Sequence, residues 1–145
     1  MAQTQEIRDE TGAQRLLGHV IDLSAPDGSA LVRMTAGPDS LNRQDILHGG
    51  LAALLLDAAM GAAASRSVDA SAAQRFSTLS LTVNFLSPGR PGVIEATGRV
   101  TGGGRRTRFA EAVLRQTGTG AVIAAATGVF RMATSPSSPC EGAAS

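Results

Sequence analysis

Residues 49–64 read GGLAALLLDAAMGAAA, and this stretch decides the fold. Alanine and leucine are strong helix formers, so the run is predicted to be a helix rather than a strand. It is apolar on every face except at Asp57, and such a helix must be wrapped on most sides. Its unbroken apolar part, residues 51–64, is short for a membrane span and carries a carboxylate at its middle. That points to a buried helix of a soluble domain.

Upstream of it, a polar loop over residues 37–45 follows two candidate strands, 16–24 and 29–36. Pro26-Asp27-Gly28 joins them as a turn, because proline fixes one dihedral and glycine tolerates the next. Downstream, Thr78, Ser80, Thr82 and Asn84 alternate with Leu79, Leu81, Val83 and Phe85, and period two predicts a strand with the second set buried. Three more strands are predicted over 92–101, 107–116 and 121–132. Gly102-Gly103-Gly104 and Thr117-Gly118-Thr119-Gly120 separate them, which makes a meander of hairpins. A sheet long enough to curl about one apolar helix is an α+β plan, an antiparallel sheet of five to six strands wrapped around a long central helix. The domain is expected over 15–132. Residues 1–14 lack apolar periodicity and are expected as a flexible arm or short surface helix; 133–145, rich in Ser, Pro, Gly and Ala, are expected to be disordered.

A chain of 145 residues suits one domain with a proper core. Apolar residues make up 43% and charged residues 17%, with a net charge of +1, so nothing general draws it to nucleic acid. All 13 basic residues are arginine, whose flat bidentate head suits phosphate and carboxylate; a compositional habit would give the same count. The single cysteine, Cys140, allows no disulfide within one chain and favours a cytoplasmic setting. The first twelve residues are polar and acidic where a secretory signal would be basic and then apolar, so export by that route is not expected.

Four features carry chemistry. Asp57, a carboxylate in an apolar helix, is costly unless paired, hydrogen-bonded or exposed at a site; it reads either as a functional group or as a cap or arginine partner. Gly49-Gly50 opens the helix, where free N–H groups and the positive end of the helix dipole favour an anion or a developing oxyanion; a tight turn is the plainer reading. His48 before it reads as a cap or packing residue, or as a base. Arg90, Arg105, Arg106 and Arg108 lie near strand ends, able to grip phosphates or simply to charge the sheet edge. Eight residues separate Gly49 from Asp57, roughly 12 Å along a helix at 1.5 Å per residue. The two cannot flank one reacting carbon. If both act in one site, a second, antiparallel copy of the helix must supply the carboxylate, as in a two-fold dimer.

Residues 42–64, NRQDILHGGLAALLLDAAMGAAA, resemble the hotdog-fold acyl-CoA thioesterases related to the phenylacetate-pathway enzyme, whose signature is His-Gly-Gly with an acidic residue nine positions after the His. His48 and Asp57 keep that spacing. LTVNFLSPGRPGVIEATGRV and GRRTRFAEAVLRQTGTGAVIAAATGVF look like the later strands of the same family, so the resemblance covers about residues 16–132. It implies Asp57 as base or nucleophile toward the thioester carbonyl and the Gly49 N–H as the group polarising its oxygen. By the same resemblance Asn42 lies near the acyl group and the water, and Thr78 supplies a hydroxyl close to the carboxylate. Pro88, Gly89, Arg90, Arg105 and Arg106 match segments along the nucleotide end of CoA. Family members are dimers, with sites across the interface, that usually pair into tetramers. No metal or redox cofactor is implied, and CoA enters as part of the substrate. The alternatives are a non-catalytic acyl-CoA-binding module and a hydratase or dehydratase acting on acyl thioesters. With no Trp or Tyr and four Phe, the acyl pocket is expected to be mainly aliphatic.

Overall fold

The computed structural model describes residues 5–134. In chain order it contains β1 (Glu6–Ile7), α1 (Gly12–Leu17), β2 (Val20–Asp22), β3 (Ala30–Ala36), a 3-10 turn (Pro38–Ser40), α2 (Gly49–Arg66), β4 (Phe76–Phe85), β5 (Gly92–Gly103), β6 (Thr107–Gln116) and β7 (Val122–Met132). The strands form one antiparallel sheet in the order β1-β2-β3-β5-β6-β7-β4, curled about α2. The α+β plan therefore holds, with seven strands instead of five to six. Among the described residues no helix is long and apolar enough to cross a membrane.

The inner wall of the sheet is small. Ala96, Ala110, Ala112, Ala124 and Ala126 are buried, and a methyl group on Gly98 would run into the Ala59 carbonyl of α2. Backbone thus lies almost on backbone, and larger side chains fill the flanks. Leu55, Leu56 and Met60 of α2 are fully buried with Ile94, Leu114 and Phe130. Each contributes on the order of 1.5–3 kcal/mol by leaving water. The outer face of the sheet is polar where ion pairs link neighbouring strands, Arg33 with Glu95 and Arg99 with Glu111.

Three expectations need correction. Residues 16 and 17 belong to α1 rather than to a strand: Thr11 caps the helix by accepting from the Gln14 N–H, and Gly18 ends it in the left-handed region at φ 72°. Only Val20–Asp22 is extended there. Of the two forms expected for the first fourteen residues, a short helix does begin at Gly12, but the flexible arm is not found among the described residues, since β1 pairs with β2 and Gln14 is buried, donating to the Ile7 and His19 carbonyls. Of the expected disordered tail, Ala133 donates to the Arg75 carbonyl, and residues 135–145 lie outside the described residues.

The third correction concerns β4, which sits at the free edge beside β7. Its apolar set is not buried in the protomer: Leu79 is 59%, Leu81 37% and Phe85 59% exposed. Nor does the alternation run unbroken. Thr78 pairs with Phe130 and Ser80 with Val129, so Leu79 is an extra residue, a β-bulge. The bulge puts Thr78 on the helix side with Leu81, Val83 and Phe85, where strict alternation would put it on the outer face.

Candidate active site

The N-terminus of α2 is built by the loop before it. Asn42 closes that loop, its Oδ1 accepting from the Gln44 and Ile46 N–H groups at 2.9 and 3.4 Å and its own N–H donating to the Ile46 carbonyl at 2.8 Å. His48 is the N-cap: its Nδ1 accepts from the Gly50 N–H at 2.9 Å, and its carbonyl accepts from Leu51 and Ala52 at 3.0 and 3.1 Å. Nδ1 is thereby occupied, and the exposed ring serves the helix start. The Gly49 N–H has no acceptor among the described residues. It is the donor that a helix start leaves over for a ligand.

Beside Gly49 opens a cleft of about 480 Å³, lined by Asn42, Ile46, Leu47, Gly49, Ala52, Phe85, Leu86, Ser87, Pro88, Gly89 and Ile123. Its far wall, the segment after β4, is bolted down at several points. Leu86 and Ser87 N–H donate to the Ile123 carbonyl, Ser87 Oγ to the Val122 carbonyl, and Leu47 N–H to the Gly89 carbonyl. Gly89 must be glycine because a Cβ there would come within 2.8 Å of the Leu47 Cβ. Gln116 holds Arg90 from both sides: its Oε1 accepts from the Arg90 N–H at 2.8 Å and its Nε2 donates to the Arg90 carbonyl at 3.2 Å.

Asp57 stands two turns further along α2, half-buried, and Thr78 Oγ1 donates to its Oδ1 at 2.7 Å. The bulge at Leu79 makes that contact. Around Asp57, Ala53, Leu54, Ala58, Gly61 and Ala62 are half-buried too, an apolar stripe that the sheet leaves partly uncovered.

Within one chain the structure joins Asp57 to Thr78 and gathers Asn42, Gly49, Pro88 and Gly89 around the cleft, but keeps these two groups apart. It also separates the arginines. Arg90 precedes β5, whereas Arg105 and Arg106 lie in the turn after it, and twelve strand residues span roughly 40 Å at 3.3 Å each. Arg108 is committed locally, donating to Ser67 Oγ and the Gly104 carbonyl and lying over the Phe76 ring. Sequence reading missed Phe85 and Gln116. Phe85 lies seven positions from Thr78, and strict alternation puts such a pair on opposite faces, so only the bulge reveals that they share one. No local pattern marks Gln116.

Known proteins share this fold. Residues 37–131 match the family model of the acyl-CoA thioesterase N-terminal domain. No curated protein matches the chain. A conserved protein of Pseudomonas aeruginosa is 29% identical, with a TM-score of 0.76 over 85% of this chain and 94% of that one. A Bacillus halodurans protein whose structure was solved with CoA is 27% identical, with a TM-score of 0.78 over 90% and 83%. The E. coli PaaI protein from the phenylacetic acid degradation operon, 23% identical with a TM-score of 0.71 over 86% of each chain, shares the fold. With its one wrapped helix and a family match running from the loop before that helix to the last strand, the chain belongs to the acyl-CoA thioesterase family, on the hotdog fold.

Proposed function

We propose that the protein hydrolyses an acyl-CoA thioester to the free acid and CoA, in a site shared by two copies of the chain. The observation that carries this reading is the split of the catalytic groups: a free N–H at Gly49 and a carboxylate at Asp57, eight residues apart on one helix. Both border surface that one protomer leaves uncovered. Phe85 packs on Gly49 and Thr78 bonds Asp57, and both lie on the helix side of the free edge strand β4. Two β4 strands pairing antiparallel, with Phe85 opposite the partner's Thr78, would set each Gly49 beside the partner's Asp57 in both halves at once. The apolar stripe of α2 would then be covered by its own copy. The same pairing brings Arg105 and Arg106 to the end of the joined sheet that holds the partner's Arg90. A tetramer of two such dimers belongs to the same reading.

The thioester oxygen accepts from the Gly49 N–H, and negative charge grows there as the carbonyl carbon becomes tetrahedral. One such donor contributes about 100- to 1,000-fold in rate. Thr78 fixes Oδ1 of Asp57 and leaves Oδ2 free. Asp57 either takes a proton from the attacking water or attacks the carbon itself, and water then opens the resulting anhydride. On either route the C–S bond breaks, the thiolate takes up a proton, and one water is consumed per acid and thiol. Asn42, whose Oδ1 is held by the loop, keeps its amide N–H₂ for the acyl group or the water. The nucleotide phosphates fall to Arg90, Arg105 and Arg106, beside Pro88 and Gly89. The CoA held by the Bacillus halodurans relative supports CoA as the thiol.

The test mixes two dead variants, Asp57→Ala and a Gly49→Val that blocks carbonyl approach. Random mixing makes half the dimers mixed, each with one intact site of two, so about a quarter of wild-type thiol release should return. Binding of acyl-CoA without thiol release by the wild type would favour a binding module, and a change in enoyl absorbance a hydratase. No recovery despite proven subunit exchange would end the shared-site reading.

A further inference from the structure

We propose that Phe85 is the residue that sets which acyl groups the site accepts, by limiting bulk directly next to the thioester carbonyl; this rests on the thioesterase reading above. The ring lies against Gly49, where an added Cβ would stand 3.3 and 3.4 Å from its Cε1 and Cζ. Gly49 is also the residue whose N–H is free, so a carbonyl held there puts its substituent against the ring at once. Among the described residues Phe85 is the sole aromatic of the cleft: Phe130 is buried against Gly61 and Gly128, Phe76 lies under Arg108, and Phe109 is on the outer face. Ile46, Leu47, Ala52, Leu86 and Ile123, which line the same cleft, are aliphatic. Phe85 is 59% exposed in the protomer, and whatever its strand β4 meets in the proposed dimer, the ring stands in the cleft wall beside Gly49, where a ligand in the cleft would touch it.

The position makes a specific demand. A group that is branched or cyclic at the carbon joined to the carbonyl must displace the ring, whereas a linear chain passes along it. Phe85 therefore discriminates by shape at the first carbon rather than by chain length. A single methylene in an apolar pocket changes selectivity by about 10- to 200-fold, so removing a whole ring is expected to move the ratio at least tenfold.

The experiment measures kcat/KM by thiol release, and Kd by calorimetry, for acetyl-, butyryl-, octanoyl-, isobutyryl- and benzoyl-CoA. The wild type is compared with Phe85→Ala, Phe85→Leu and Phe85→Trp. The ratios of isobutyryl and benzoyl to acetyl should rise at least about tenfold in the alanine variant and less in the leucine variant, and should fall in the tryptophan variant. The octanoyl to butyryl ratio should stay within about threefold. Should the alanine variant fail to fold, the leucine and tryptophan pair decides alone, since their ratios must move in opposite directions. An active wild type whose variants change all esters equally, or only by chain length, overturns the role of Phe85 and leaves the thioesterase standing. A wild type that neither cleaves nor binds any of the five overturns both.

Discussion

The two edges of the sheet are built to opposite ends. At one, β1 has two residues, its Glu6 pairs with Arg8, and the buried Gln14 of α1 donates to the carbonyls of Ile7 in β1 and of His19 just before β2. Such an edge offers little ladder to a visitor. At the other, β4 runs for ten residues without a charge and shows Leu79, Leu81 and Phe85 to solvent. A long, uncharged, apolar edge is an aggregation hazard unless something covers it. One guarded edge and one bare one fit the proposed pairing of two β4 strands, and Asp57, the carboxylate of the proposed mechanism, is tied to the bare edge through Thr78.

The comparison breaks first at the centre of β4. Leu81→Lys places a charge beside its own copy at the middle of the proposed pairing, yet disturbs a residue that the protomer leaves accessible. Sedimentation should show the assembly falling to folded monomers with thiol release below detection, whereas Glu6→Lys at the guarded edge leaves the mass unchanged. A Leu81→Lys dimer with full activity would mean that β4 is not the joint. Next in size is Asp57→Asn, which keeps shape and assembly but removes the acid–base group; turnover should fall at least about 100-fold with CoA binding retained. Thr78→Val should cost less, about tenfold in kcat, because a hydrogen bond to a charged group is worth about 1.5–3 kcal/mol and water replaces part of it. Thr78→Ser should restore most of that loss, and equal activity in all three proteins would make the contact incidental.

The smallest effect belongs to the guarded edge. His19 is buried there with no partner for its Nδ1 among the described residues, and burial holds its pKa below the ordinary 6.5. The unfolded chain therefore takes up a proton before the folded one does. Stability from this site is complete above about pH 6.5 and declines as pH falls below it. Urea midpoints at pH 7.5 and 5.5 should differ in the wild type and differ less in His19→Gln; an unchanged gap would clear His19.

What the chain announces locally could be read from it. The helix from Gly49 follows from composition, and β5 to β7 follow from their glycine turns. The contact of Asp57 with a hydroxyl came from the family resemblance, and the rise of a helix separates Gly49 from Asp57 whatever the assembly. Other features have no local mark. The six residues of α1 are too few for a periodic signal, although Thr11 and Gly18 punctuate them. The place of β4 beside β7 is a long-range pairing that no stretch of β4 encodes. The apolar set Leu79, Leu81 and Phe85 reads as buried because alternation reports which residues share an apolar face, not whether the chain itself covers that face.

The bulge at Leu79 has a consequence for reading relatives of this protein. A strand counts in parity, odd residues to one side and even to the other, and Leu79 inverts that parity midway. Thr78 and Phe85 differ by an odd number yet face the same helix. The hydroxyl that meets the carboxylate is therefore located by its rung in the ladder, opposite Phe130, and not by its distance along the chain from Asp57. Two family members could carry that hydroxyl at different chain positions and still present it to the same oxygen.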